Sequence, residues 1–173
     1  MQFMSTLAQA RGYVNEASSL GISLGGGIND RIGDLGCGYS DAEQVIPITQ
    51  VLLSDPYNVL GWRTVAVEYD EATGRKAQAD KKYTGVEFHV GPGEGDVTKT
   101  KYNVNTAFLA AILLKFGVLG PALDTQGSGQ VVVYGFDQWT DVTKGAVGQM
   151  LRERGYIITV GDNVVVGKKE DAK

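Results

Sequence analysis

Two side chains bound the chemistry open to this polypeptide: one histidine, His89, and one cysteine, Cys37, in 173 residues. No His-rich metal site, CxxC redox pair or Cys₄ or Cys₂His₂ zinc knuckle can be built from them. A Cys–His nucleophilic pair would have to join Cys37 to His89, and the sequence around neither supports it. The expectation is therefore no catalytic residue, no metal and no cofactor.

Three spacings still need weighing. Gly21-Ile22-Ser23-Leu24-Gly25 has the G-x-S-x-G form of a nucleophile elbow. That chemistry needs the serine on a strained turn between a buried strand and a helix, with a base in reach. Here a helix pattern precedes it, more glycine follows, and only His89 could serve as base, so it reads as a chance match. Gly93 to Thr100 ends in Lys99-Thr100 like a phosphate loop, but Thr98 stands where glycine is required. Glu94 and Asp96 add negative charge where a phosphate would lie. Asp30, Asp34, Asp41 and Glu43 flank a glycine-rich segment, and Asp137 and Asp141 bracket Trp139. Neither set has EF-hand spacing, and Asp41, Glu43 and Asp141 are explained by helix starts.

The basic residues carry more weight. Arg75, Lys76, Lys81, Lys82, Lys99 and Lys101 gather in one stretch, with Tyr69, Tyr83, Phe88 and Tyr102 interleaved. Cations tracking phosphates while aromatics stack on bases is how single-stranded nucleic acid is commonly held. This makes Arg75, Lys76, Lys81, Lys82, Tyr83, Lys99, Lys101 and Tyr102 the candidate nucleic-acid-binding residues. Seven acids in residues 63–101 argue instead for a solvated surface.

The elements that would position these groups are read from periodicity. Residues 5–19 predict a helix with Thr6 and Gln9 as a capping box. Gly21, Gly25, Gly26, Gly27, Gly33, Gly36 and Gly38 then break regular structure. A second helix start, Ser40 with Glu43, is limited by Pro47, leaving Val45 to Leu53 open between helix and buried strand. From Trp62 the pattern alternates, the 70–74 run reads as a hairpin turn, and a return strand ends near Val90. Residues 105–116, with Phe108, Leu109, Ile112, Leu113 and Phe116, predict a central helix capped by Asn105 or Thr106. Val131 to Tyr134 reads as a strand buried on both faces, its partner direction open. A helix at about 141–154 and a terminal hairpin of 156–160 with 164–166 complete the chain.

These elements predict an α+β fold: an antiparallel sheet with hairpins near 62–90 and 156–167, packed on two or three helices, with a glycine-rich N-terminal arm. The expected division is residues 1–61 as arm and 62–173 as core, together one compact unit.

Composition sets the functional class. Hydrophobic content of 43% and charge of 21% are globular values. The net charge of −4 arises wholly in residues 1–62, where Arg11 and Arg31 face six acids. A protein that coats nucleic acid is usually basic overall. No leader peptide and no membrane-spanning run is expected, which gives a soluble cytoplasmic or virion protein. Scarce catalytic types, a weakly patterned acidic third and an apolar terminal hairpin point to a non-enzymatic structural or assembly subunit. Phage capsid or tail proteins share this profile. Ile157, Ile158, Val164, Val165 and Val166 are the expected interface, and other copies or other subunits of the assembly the expected partners. The alternative is a single-stranded nucleic-acid-binding protein using the basic hairpin.

Overall fold

The structure is a computed structural model that describes residues 5–111, 116–135 and 139–170. It is a doubly wound α/β fold. Seven strands form one sheet in the order β3-β2-β1-β4-β5-β7-β6. They are β1 Ile32–Leu35, β2 Thr64–Glu68, β3 Glu87–Val90, β4 Ala107–Ala111, β5 Gln130–Tyr134, β6 Ile157–Val160 and β7 Val164–Lys168. β1 to β5 are parallel, and only β7 runs antiparallel to its neighbours β5 and β6. The expected antiparallel sheet is thus corrected to a mostly parallel one.

Helices cover both faces. On one side lie α1 Leu7–Ser19 and α2 Pro47–Leu53, packing Ala10, Val14, Ile48 and Leu52 against Ile32, Leu109 and Val132. On that same face α3 Glu71–Ala79 sets Ala77 against Ala66. On the other, α5 Phe116–Gln126 and α6 Asp141–Arg152 set Leu119, Leu123, Val147 and Leu151 against Val65, Phe108 and Val133. A short helix, α4 Gly91–Glu94, follows β3.

Local signals place some elements where sequence put them. Thr6 and Gln9 form the capping box of α1, with Thr6 Oγ1 accepting from Gln9 N at 3.1 Å. α6 is present, with Thr140 rather than Asp141 as its cap. The terminal hairpin is present as β6 and β7. β5 is buried along its length and lies parallel to β4 and antiparallel to β7, which resolves its direction. Pro47 starts α2 rather than kinking it, because the first helical position has no intrahelical use for its N–H.

Three expectations change for one physical reason. The 62–90 hairpin is a β2–α3–β3 crossover: Asp70 Oδ2 accepts from Thr73 N at 3.0 Å and starts a helix, so β2 and β3 run parallel. The helix expected over 105–116 begins as β4, whose five residues are all buried. An apolar run looks the same as a covered helix or as the middle strand of a sheet helical on both faces. Ile112 and Leu113, and the side chain of Phe116, lie outside the described residues. The glycine-rich arm is no arm: β1 pairs with β2 on one side and β4 on the other, mid-sheet.

Candidate functional site

In an open parallel sheet, ligands bind outside the carboxyl ends of the strands where the strand order reverses. Here that place is the end of β1, between β2 and β4. The chain leaves β1 through Gly36-Cys37-Gly38. Gly36 has φ 74° and Gly38 φ 64°, values that ask for glycine. Gly36 N and Cys37 N both donate to Val67 O, at 2.8 and 2.9 Å, folding the turn onto the end of β2.

Glu68 ends β2 beside that turn. Its Oε1 accepts from Gly38 N at 2.9 Å and its Oε2 from Asp70 N at 2.8 Å. Two backbone amides hold the carboxylate still, and each oxygen keeps a lone pair for a further donor. Tyr69 follows, 60% exposed, a flat aromatic surface at the rim. Gly95 packs behind: a Cβ there would lie 2.4 Å from Glu68 O and 2.5 Å from Gly91 O, both backbone. Gly95→Ala is expected to cost roughly 1–3 kcal/mol in urea unfolding, since neither carbonyl can yield without moving the end of β2.

Asp34 lies beneath the turn with 0% exposure. Its Oδ2 accepts from Thr49 Oγ1 at 2.7 Å and from Thr49 N at 3.2 Å, while Oδ1 is buried with no hydrogen-bond partner. Burial pushes the carboxyl up to about 7; the Thr49 hydrogen bonds oppose this and the Glu68 charge adds to it. The buried Cys37 thiol is raised well above its ordinary value by burial, then by Asp34 and Glu68, which favours the neutral thiol over the thiolate. Tyr134, at the end of β5, stacks on Tyr13 of α1 with centroids 5.2 Å apart and 24° between planes. Burial holds its phenol protonated.

The connection from Gly38 to α2 is tied down on both sides. Glu43 N donates to Ser40 Oγ at 3.1 Å, so the Ser40/Glu43 spacing is real but closes a turn instead of a helix. Glu43 Oε1 accepts from Leu7 N at 2.9 Å, joining the turn to the start of α1. Asp41 pairs with Lys76 at 3.1 Å, Tyr39 donates to Asp80 at 2.8 Å, and Ile46 N donates to the Tyr83 hydroxyl at 2.9 Å.

The residues singled out from sequence are dispersed. Arg75 and Lys76 lie on α3, Lys81 and Lys82 on the turn after it, and Lys99 and Lys101 on the connection between α4 and β4. Lys76 and Lys82 are engaged with Asp41 and Asp80. Tyr83 and Tyr102, expected to stack on bases, are buried in the core. Of the hairpin residues, Ile157 is exposed and Ile158 half-buried, whereas Val164, Val165 and Val166 are buried. Ile157 and Val166 line a groove beside α1 with Leu20, Ile22 and Thr159.

Ser23 is pinned to the start of β5 by Gln130, its N donating to Oε1 at 2.8 Å, while His89 sits on edge strand β3 with Glu87 at 2.6 Å and the Tyr102 ring. They make no elbow pair. Asp30 accepts from Gly27 N, Asp141 lies in the first turn of α6, and Asp137 falls outside the described residues. The groups that do converge, Asp34, Gly36, Gly38 and Glu68, went unseen as a set. The available signal was the Ile32-Gly33-Asp34-Leu35 segment, an acid between apolar residues, entering a G-x-G turn, with a second acid closing the next strand.

No protein-family model matches the chain, and no curated protein matches it in sequence. Solved structures do share its fold. A methyltransferase from Pyrococcus furiosus aligns at TM-score 0.57 and 16% identity, over 91% of this chain and 82% of that one. A precorrin-6y C5,15-methyltransferase from Geobacter metallireducens aligns at 0.56 and 12%, over 95% and 87%. An RNA methyltransferase from Salinibacter ruber, in complex with S-adenosyl-L-homocysteine, aligns at 0.50 and 19%, over 98% and 99%. The fold is thus the Rossmann-like one of methyltransferases. This likeness overturns the expectation of a non-enzymatic structural or virion subunit, and the basic hairpin of the alternative reading is instead the β2–α3–β3 crossover. Among the described residues no helix is long and apolar enough to cross a membrane.

Proposed function

We propose that this chain is an S-adenosylmethionine-dependent methyltransferase that holds its cofactor across the ends of β1 and β2. The observation that carries this reading is the Glu68 carboxylate, fixed by Gly38 N and Asp70 N beside a positive-φ glycine turn at the switch point of the sheet. The neighbours' shared fold supports it.

The residues present fit that cofactor. Glu68 would take the two ribose hydroxyls on its free lone pairs. The Gly36–Gly38 turn, lacking side chains at both ends, lets the ligand approach the backbone. Tyr69 offers a face for the base. Asp34 Oδ1, buried and without a partner, would face the cationic amino-acid end. Bound there, S-adenosylmethionine supplies a methyl group on a positively charged sulfur, ready for transfer to a nucleophile. The protein's own work is orientation and exclusion of water. Tyr13 and Tyr134 close the α1 side, and the Glu43 contact to Leu7 N keeps α1 in place. Neither Cys37 nor Tyr134 acts as a base, because burial keeps both protonated.

Titration calorimetry with S-adenosylhomocysteine tests the reading: one site per chain is expected. No heat at millimolar ligand would end it.

A further inference from the structure

The two edges of the sheet differ in kind. Edge strand β3 carries charge, with Glu87 ion-paired to Arg31 and His89 and the Tyr102 ring against His89. Edge strand β6 is Ile157-Ile158-Thr159-Val160, without charge or proline, and Ile157 and Val160 are 63% and 49% exposed. A β-branched edge with no lysine, proline or bulge is a template for another strand.

The ladder shows which groups that edge offers. Gly161 N donates to Val164 O, while on the far side of β7 Gly135 N donates to Asn163 O and Lys169 N to Gly129 O. Alternation from these bonds turns Ile157 and Thr159 inward to β7 and leaves the N–H and C=O of Ile158 and Val160 pointing out of the sheet. We propose that β6 pairs antiparallel with β6 of a second copy of this chain, about a two-fold axis at Thr159. In that register Ile158 of each copy bonds Val160 of the other, which uses every outward group of the strand. A slip toward Tyr156 would need its N–H, already donated to Leu151 O.

The same register sets charge against opposite charge. Asp162 of the second copy comes opposite Tyr156, whose ring carries Lys169 Nζ 5.0 Å from its centre. Arg154, beside them, is held by Asp124, so Lys169 is the cation that the exposed Asp162 meets. The axis also keeps the two α1 faces on one side. The groove of Leu20, Ile22, Ile157 and Val166 then continues into its counterpart, and each Ile157 is covered by apolar surface. The interface does not depend on what the crevice at β1 and β2 binds.

Thr159→Cys tests pairing and register together. Opposed residues between ladder bonds have Cα atoms about 4.5 Å apart, within reach of a disulfide. Cys37 is buried and does not compete. Under mild oxidation this variant is expected to run as a disulfide-linked dimer, whereas Val142→Cys, 83% exposed on α6, stays monomeric. Equal cross-linking of the two, or none in Thr159→Cys, overturns the proposal. Light scattering after size exclusion reads the interface without a cysteine. Wild type is expected as a dimer at micromolar concentration and Ile157→Lys as a monomer with unchanged circular dichroism and S-adenosylhomocysteine binding. A monomeric wild type, the result if the edge instead takes an extended peptide from another protein, overturns it. So does an Ile157→Lys variant that still dimerises.

Discussion

Glu68→Gln is expected to weaken S-adenosylhomocysteine binding by about 100-fold, the largest single loss available in the crevice. The carboxylate accepts from Gly38 N and Asp70 N and would accept from two ribose hydroxyls as well. Hydrogen bonds to a charged group contribute roughly 1.5–3 kcal/mol each, against about 1.4 kcal/mol per tenfold in affinity. Glutamine loses the charge and turns an NH₂ toward one of the two backbone donors, so it disturbs the turn and the ligand together. Calorimetry on the variant and on Glu71→Gln, one residue past Asp70, reads the difference. A loss below threefold for Glu68→Gln, or an equal loss for both, would remove Glu68 from the site.

The second large effect is on pH dependence. Burial raises the Asp34 carboxyl from 3.8 to about 7 in the folded protein. The folded state therefore keeps a proton that the unfolded chain releases above pH 4. Its contribution is fully present below about pH 4 and is lost as pH rises through 7. At about 1.4 kcal/mol per pH unit of that window, the loss is on the order of 4 kcal/mol. Asp34→Asn is expected to flatten the fall, and the difference between the two proteins in urea unfolding from pH 5 to 8 measures it. Subtraction also removes carboxylates that titrate the other way. Hydrogen bonds from Thr73 and Thr98 hold Asp70 and Asp96 below the usual range. Equal slopes for wild type and Asp34→Asn would refute this. Because a cationic ligand favours the ionised form, affinity for S-adenosylmethionine is expected to rise through the same window.

What was legible in the sequence was local. The Thr6/Gln9 box, the α6 stripe ending before Gly155, the apolar 131–134 run and the Gly161-Asp162-Asn163 turn each act within a few residues, and each appears in the fold. Where a local signal served two structures, it misled. Asp70 suits a turn and a helix cap equally, and Ala107 to Ala111 is as apolar as a buried helix. Only the choice of neighbours settled those cases, because a strand covered by α1 and α2 on one face and α5 and α6 on the other loses its alternation.

The site itself was the least visible part. Gly38 and Glu68 stand 30 residues apart and become partners only when β1 and β2 lie parallel. The sequence by itself determined the supply: glycines able to take positive φ, an acid closing a β-rich run, and a charge balance concentrated in the first third. The tertiary structure decided the rest, because parallel pairing brings the carboxyl ends of distant strands to one edge and gathers at a single crevice groups that no spacing connects.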